Sequence, residues 1–224
     1  GSPYEFNNTK QYHFPLYTEE STFTDDSILT VALADTLLYG KDFTDNLVFW
    51  GNKYLAKGYG GTFRRWLAGE LATQFGKKVT THPPYNSWGN GSAMRVSPVA
   101  WAFDNLDEVL IHATQSAAVT HNHPEGLIGA QAIAAATFLA RKGSSKEEIK
   151  EYIETRFKYD LNRSLAEIRP TYIFYVSCRG SVPPAIRAFL EGGSYEEVIR
   201  LGISIGGDSD TIAAMAGSIA HAYY

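Results

Sequence analysis

DSILTVALADTLLY, at residues 26–39, is the stretch that decides the fold class. Its apolar side chains recur with the spacing of one helical face, at Ile28, Leu29, Leu33, Leu37 and Leu38. Gly40 follows directly, and a glycine just after the last periodic residue is typical of a helix C-terminus. The stretch therefore predicts an amphipathic helix.

Similar helical patterns occupy much of the remaining chain. They cover about 45–57, 62–71, 104–118, 124–142, 145–157, 184–190, 194–202 and 209–222. The pattern at 62–71 follows a glycine cluster, and Thr62 is its expected N-cap. Residues 76–92 lack apolar periodicity and are rich in Gly, Pro, Asn, Ser and Thr, which predicts a long loop.

The strand signal is much weaker than the helical one. Residues 171–177, TYIFYVS, form one strand-like run, and a single short run cannot build a sheet. Small residues crowd 126–140 and 211–220, which predicts two central helices whose backbones approach closely. No linker-like segment interrupts the chain, so we expect an all-α fold with residues 1–224 in one domain.

The composition excludes several classes of protein. The 224 residues carry 20 basic and 24 acidic side chains, a net charge of −4, and no stripe of Lys or Arg, which argues against a nucleic-acid partner. Cys178 is the only cysteine, which excludes an internal disulfide and a cysteine-based zinc site and favours the cytoplasm. No apolar run is long enough to predict a membrane span.

Two short acidic motifs stand at helix starts. TDD at 24–26 opens the first predicted helix, and DSDT at 208–211 opens the last. Taken alone, each is explained by helix capping, because Thr and Asp side chains bind free N–H groups and acids favour the positive end of the helix dipole. Each motif nevertheless holds two carboxylates and a threonine hydroxyl, more oxygen donors than capping requires.

If the two helix starts converge, their carboxylates repel one another strongly unless cations are bound. Oxygen donors without His or Cys favour Mg²⁺ or Mn²⁺ over zinc, and two such ions can share one carboxylate. We therefore hypothesise a binuclear Mg²⁺ centre. DSDT also resembles the DxDxT motif of haloacid-dehalogenase phosphatases, but that motif follows a central parallel strand and precedes most of its domain, which its place at 208–211 does not match.

A glycine-bearing loop, NSWGNGSAMR at 86–95, precedes another helical segment. Such a loop can direct backbone N–H groups towards a phosphate, although a plain Asn-Gly turn explains it equally well. THNHPE at 120–125 contains two histidines. Because oxygen donors already suit a hard cation, we expect these histidines to bond backbone or ligand rather than metal.

Together and in this order, these segments resemble the ADP-ribosylglycohydrolase family, which includes the dinitrogenase reductase-activating glycohydrolases. The matching segments are GSPYEF at 1–6, FTDDSILTVALADTLL at 23–38, GYGGTFRRWL at 58–67, GNGSAMRVSP at 89–98, THNHPEG at 120–126 and GGDSDTIAAMAGSIAHAYY at 206–224. The first helix of the family, which ends in a Gly-Asp pair, and its C-terminal end have no counterpart in this sequence.

The resemblance implies a compact orthogonal bundle of helices with a binuclear Mg²⁺ site, in which Mn²⁺ can substitute. The metal ligands that it implies are Thr24, Asp25, Asp26, Asp208, Asp210 and Thr211. The residues that it places around the ribose and diphosphate of ADP-ribose are Gly89, Asn90, Gly91, Ser92, Met94 and His121. The catalytic residues that it implies are Asp26 and Asp210, which orient water, and Glu5, which assists proton transfer.

The activity implied is hydrolysis of the bond between C1 of the distal ribose and a modified side chain, with ADP-ribosyl-arginine as the first expectation. The expected partners are an ADP-ribosylated protein or a small molecule that contains ADP-ribose. Serine, O-acetyl-ADP-ribose and nucleic acid stay open as acceptors, and so does a non-catalytic member that binds ADP-ribose. The cleft rim decides the acceptor, and we expect residues near Tyr59, Trp88 and His121 to form it.

Overall fold

The computed structural model describes residues 1–71 and 82–224. Within these ranges the chain is helical and forms no sheet, which confirms the predicted fold class. The helices are α1 (Asp25–Tyr39), α2 (Phe43–Lys53), α3 (Gly61–Leu67), α4 (Gly91–Met94), α5 (Ser97–Ala102), α6 (Leu106–Ala118), α7 (Pro124–Arg141), α8 (Lys146–Phe157), α9 (Leu165–Ile168), α10 (Cys178–Glu191), α11 (Tyr195–Ser204) and α12 (Ser209–Tyr223). Short 3₁₀ turns lie at Ser2–Tyr4 and Arg169–Thr171.

The two helices rich in small residues, α7 and α12, form the centre of the bundle. Both bury most of their residues, and they pack against each other and against α10. Gly129 on α7 allows the close approach of α10, because a Cβ there would lie 2.3 Å from Sγ of Cys178. The sequence-based prediction of a closely packed central pair is therefore confirmed.

Helix α1 is held against α2 by one carboxylate. Oδ2 of Asp35 accepts hydrogen bonds from Lys41 Nζ at 2.7 Å, Asn46 Nδ2 at 2.9 Å and Trp50 Nε1 at 3.0 Å. At the C-terminus of α1, Gly40 adopts the left-handed conformation with φ of 64°, which glycine does at little cost. These contacts fix the direction of α1 and so the position of its acidic N-terminus.

Helix α10 is longer than the pattern at 184–190 predicts. It begins at Cys178, where Oγ of Ser177 accepts the Gly180 N–H at 3.0 Å, and it contains Pro183 and Pro184. Pro184 has no N–H for the carbonyl of Gly180, four residues earlier. The hydroxyl of Tyr172 donates to that carbonyl instead, at 2.9 Å, which explains why the helix tolerates the proline.

Residues 171–177 form no strand, although their composition is strand-like, in agreement with the expectation that this run builds no sheet. The segment makes one isolated antiparallel bridge, between Ser177 and Gly89. Ile173 is 61% exposed and the next three residues are also exposed. The described chain places no further extended segment beside it, so no ladder of backbone hydrogen bonds can form.

Two predictions about the helix after the glycine cluster at 58–61 also differ from the structure. Thr62 is not an N-cap, because α3 begins at Gly61 after Gly60, without a side-chain capping bond. The same helix ends at Leu67 rather than Leu71. Of the long loop predicted at 76–92, residues 76–81 lie outside the described chain, and residues 82–90 are non-helical before α4 begins.

Membrane insertion finds no support in the helices. Within residues 1–71 and 82–224, none combines the length and the apolar character that crossing a bilayer needs.

Candidate active site and metal centre

The first acidic motif lies at the N-terminus of α1. The backbone N–H of Asp25 donates to the carbonyl of Lys57 at 2.7 Å, which ties this helix start to the segment before α3. Thr24 makes no capping bond; its hydroxyl donates to Oδ2 of Asp26 at 2.9 Å. The other carboxylate oxygen of Asp26, Oδ1, is buried and accepts no hydrogen bond.

The second acidic motif lies at the N-terminus of α12. The chain turns into this helix through Gly206 and Gly207, whose φ angles are 77° and 64°. The side chain of Asp208 makes no capping bond, and its Oδ2 accepts from Nδ2 of Asn90 at 2.7 Å. Oδ1 of Asp210 is buried without a hydrogen-bond partner. Capping therefore does not explain either motif.

Glu5 joins the two motifs from the first turn of the chain. One carboxylate oxygen each from Glu5, Asp208 and Asp210 lie within 4.8 Å of one another. Glu5 is half-buried, whereas the two aspartates are buried. Residues separated by about two hundred positions in sequence thus meet; with Asp25 and Asp26, whose pKa values burial and the charge of Asp210 raise, they constitute the acidic group.

The electrostatic cost of this acidic group is visible in its pKa values. Burial, and then the charges of Asp210 and Asp208, raise the pKa of Glu5 to about 8. Burial followed by the charge of Asp210 raises the pKa of Asp25 to about 7. Burial raises the pKa of Asp208 to about 6, against the hydrogen bond from Asn90, and it raises that of Asp26 well above its usual range. These carboxylates are therefore poorly compensated by protein groups alone.

The donor set suits a hard divalent cation. It consists of carboxylate and hydroxyl oxygens, and two of the buried carboxylate oxygens, in Asp26 and Asp210, have no protein partner. Unsatisfied buried anionic oxygens are costly unless a cation or a proton offsets them. Mg²⁺ and Mn²⁺ prefer ligands of this type. The acidic group could therefore bind metal.

A cleft of about 550 Å³ leads to the acidic group. The loop before α4 and α4 itself form part of its wall. Two backbone bonds hold that loop against the segment before α10: Asn90 N–H donates to Val176 O at 2.8 Å, and Cys178 N–H donates to Trp88 O at 3.0 Å. The segment that forms no strand therefore serves to fix this wall of the cleft.

His121 forms another part of the cleft wall. It is 5% exposed, and its Nδ1 lies 2.7 Å from the hydroxyl of Thr120. Burial, and then the charge of Arg95, hold the pKa of His121 well below its usual range, so the ring is neutral at pH 7. Its Nε2 faces the loop, because a Cβ on Gly91 would lie 3.2 Å away.

Comparison with known proteins identifies the family. The sequence model of the ADP-ribosylglycohydrolase family matches residues 1–224. This chain belongs to the ADP-ribosylglycohydrolase family. Among similar proteins, the ADP-ribosylhydrolases ARH3 of Bos taurus and of Homo sapiens are each 30% identical, over 92% of this chain and 72% of the relative. The ADP-ribosylarginine hydrolase Tri1 of Pseudomonas putida (strain GB-1) is 26% identical, over 94% of this chain and 61% of the relative.

A solved structure agrees with this assignment. A chain of an ADP-ribosylglycohydrolase-related protein complex superposes with a TM-score of 0.68 at 27% identity, over 91% of this chain and 71% of that one. The family consists of enzymes that cleave glycosidic bonds, and its members support hydrolysis of ADP-ribose linkages as the class of reaction. The all-α bundle of the ADP-ribosylglycohydrolases is the fold that the sequence predicts.

Most of the site residues that the family resemblance implies line the one cleft. They are Glu5, Asp25, Asp26, Asp208, Asp210, Thr211, Gly89, Asn90, Gly91, Met94 and His121. Two others do not line this cleft. Thr24 lines an adjoining groove together with Asp26 and Asp210, and its hydroxyl bonds Asp26. Ser92 is fully buried and donates to the carbonyl of Gly126 at 2.8 Å.

The residues expected at the rim of this ADP-ribosylglycohydrolase cleft do line it. Trp88 is 48% exposed there, and Tyr59 itself belongs to the core, but its neighbours Gly58, Gly60 and Gly61 line the cleft.

Sequence reasoning missed Asn8 and Lys10, which bond Gly207 and Ile205 before the second acidic motif, and Arg95, which lines the cleft. No local pattern marks Asn8 or Lys10, whereas the position of Arg95 at the end of the glycine-bearing loop was a usable signal.

Proposed function

We propose that residues 1–224 act as a single ADP-ribosylglycohydrolase domain that releases ADP-ribose from modified arginine side chains. In this reaction water adds to C1 of the distal ribose, and the bond from C1 to the guanidino nitrogen breaks. The leaving nitrogen takes a proton, so that the products are free ADP-ribose and an intact arginine. The name of the relative Tri1, an ADP-ribosylarginine hydrolase, supports arginine as the acceptor.

One observation carries this proposal. Carboxylates from the starts of α1 and α12 and from Glu5 share one end of a cleft, and two buried oxygens among them have no partner. The transition state of glycoside cleavage resembles an oxocarbenium ion, with positive charge at C1. Fixed anionic groups aimed at that position stabilise the charge as it develops.

We propose that two Mg²⁺ ions, for which Mn²⁺ can substitute, are held at this end of the cleft. The proposed ligands are Thr24, Asp25, Asp26, Asp208, Asp210 and Thr211. When bound, such ions polarise the ribose hydroxyls and offset the repulsion among the carboxylates. The orphaned oxygens of Asp26 and Asp210 support these two residues as ligands.

The remaining roles belong to the protein side chains. Asp26 and Asp210 orient the attacking water towards C1, and Glu5, at the half-buried edge of the acidic group, assists the proton transfer to the leaving nitrogen. The loop from Gly89 to Met94 and the neutral ring of His121 hold the ribose and diphosphate. Because the loop is pinned at Asn90 by Val176, it needs little reorganisation to do so.

The decisive experiment measures release of ADP-ribose from an arginine-ADP-ribosylated peptide. Wild-type protein with Mg²⁺, wild-type protein with excess chelator and the variant Asp210→Ala are compared. Release that requires both Mg²⁺ and Asp210 is the expected result. Peptides carrying serine-linked ADP-ribose and O-acetyl-ADP-ribose are tested in parallel.

Each outcome separates one alternative from the rest. Faster release from the serine-linked peptide or from O-acetyl-ADP-ribose would assign a different acceptor to the same site. No release from any substrate, with ADP-ribose bound in calorimetry, would identify a non-catalytic binding protein. Equal release with chelator would exclude the proposed metal dependence.

A further inference from the structure

A buried cation lies beside the cleft without a matching anion. Arg95, the residue after α4, is fully buried. Its Nη2 donates to the carbonyl of Ser116 at 3.1 Å and to the hydroxyl of Thr120 at 2.8 Å. Its Nε and Nη1 have no hydrogen-bond partner. Buried guanidinium groups in proteins normally pair with a carboxylate, so this arrangement calls for a physical reason.

The charge of Arg95 is present at neutral pH and is only partly offset. Burial lowers the pKa of Arg95 to about 10, which leaves the guanidinium protonated. Among residues 1–71 and 82–224, no carboxylate forms an ion pair with it. The carbonyl of Ser116 belongs to the last turn of α6, whose negative dipole end offsets a fraction of one charge.

The guanidinium of Arg95 and the acidic group lie beside the same cleft. The loop before α4 lies between them. Arg95 and His121 both line the cleft. Asn90 in the loop bonds Asp208 of the acidic group, whereas the next residue, Gly91, faces the ring of His121. The cleft is therefore negative towards Asp208 and positive towards His121.

We propose that Arg95 sets the polarity of the cleft and selects ligands with an anionic diphosphate, which it draws to the His121 side. This inference rests on the proposed function, because ADP-ribose is the ligand whose diphosphate and C1 match the two ends. The guanidinium nitrogens without partners are buried, so Arg95 acts through its field across the loop and through His121. It is a positioning residue rather than a catalytic one.

The alternative is that Arg95 has only a structural role, in which it holds the end of α6 against α4. Loss of a structural contact would lower the affinity of every ligand of the cleft alike, whereas loss of a charge lowers the affinity of anionic ligands selectively. Ligand selectivity is therefore the readout that distinguishes the two roles.

The test compares the affinities of ADP-ribose and of uncharged adenosine by calorimetry in the presence of Mg²⁺. We expect Arg95→Met to weaken ADP-ribose about tenfold or more, and adenosine by less than about twofold. Arg95→Lys, which keeps the charge, is expected to recover most of the lost affinity. If the Met variant does not fold, Arg95→Gln, which keeps an amide donor for Ser116 and Thr120, carries the same expectation.

Equal losses for both ligands, or unchanged ADP-ribose binding in a folded neutral variant, would overturn the role of Arg95 and leave the proposed function intact. Failure of the wild-type protein to bind ADP-ribose would instead overturn the proposed function, and this inference with it. The two failures are thus distinguishable in one series of titrations.

Discussion

Asn8 and Gly207 are joined by two hydrogen bonds of opposite direction. The Gly207 N–H donates to Oδ1 of Asn8 at 2.7 Å, and Nδ2 of Asn8 donates to the Gly207 carbonyl at 3.0 Å. Nδ2 also donates to the carbonyl of Glu5 at 2.9 Å. Close by, the ammonium of Lys10 donates to the carbonyl of Ile205 at 2.7 Å. These bonds fasten the segment that carries Glu5 to the turn that precedes Asp208.

We therefore expect Asn8→Ala to separate Glu5 from the acidic group. The free energy of unfolding should fall by about 0.5–1.5 kcal/mol for each hydrogen bond of the Asn8 side chain that contributes to stability. The kcat for ADP-ribose release should fall as well, because Glu5 is no longer held in place. Urea unfolding and steady-state kinetics measure the two effects. The exposed neighbour Asn7→Ala is the matched control, and equal effects of both substitutions would contradict the prediction.

Asp210→Asn should lower the activity without lowering the stability of the metal-free protein. Loss of a proposed metal ligand is expected to lower kcat/KM by more than about 100-fold. In chelator the same variant should be at least as stable as the wild type, because one of the mutually repelling carboxylates is removed. Asp45→Asn, an exposed aspartate in the first turn of α2, is the control. A large loss of stability without metal would show that Asp210 serves the fold instead.

Stability of the metal-free protein should fall as the pH rises from about 5 to 8. The pKa values of Asp208, Asp25 and Glu5 are raised to about 6, 7 and 8. The folded protein therefore binds protons that the unfolded chain releases near pH 4, and this stabilisation is lost as the pH passes through the raised values.

Thermal denaturation with chelator and with Mg²⁺ tests this pH dependence. Bound Mg²⁺ offsets the carboxylate charges, so the fall of Tm with pH should become much shallower. Profiles that fall in parallel in the two conditions would contradict the metal site, and a profile in chelator that does not fall between pH 5 and 8 would contradict the raised pKa values.

Tyr172→Phe should destabilise α10 by removing the donor to the Gly180 carbonyl. We expect a loss of about 0.5–1.5 kcal/mol. Pro184→Ala supplies a backbone N–H for the same carbonyl. Tyr172→Phe should therefore cost less stability in the Pro184→Ala variant than in the wild type. A double-mutant cycle by urea unfolding measures the difference. Additive effects would show that the tyrosine and the proline do not share this carbonyl.

The sequence predicts the helices well because their signals are local. Apolar spacing, capping residues and the glycine after α1 act within a few positions, and the central pair of helices follows from the small residues alone. The strand-like composition of residues 171–177 does not produce a strand, because strand formation depends on a partner that local composition does not report. The first half of α10 was missed because Pro184 reads as a helix start, and its tertiary partner Tyr172 is invisible in the pattern.

The candidate site also combines features that the sequence determines with features that only the tertiary structure shows. The sequence by itself determined the oxygen donors at the two helix starts, the glycine-bearing loop and the order of motifs that marks the family. Only the tertiary structure decided that Glu5, Asp208 and Asp210 meet, that Thr24 and Ser92 do not line the cleft and that Arg95 is buried without an anion. The physical reason is distance along the chain. Burial, pKa shifts and contacts such as that between Asn8 and Gly207, 199 residues apart, arise from packing among helices, which no local spacing encodes.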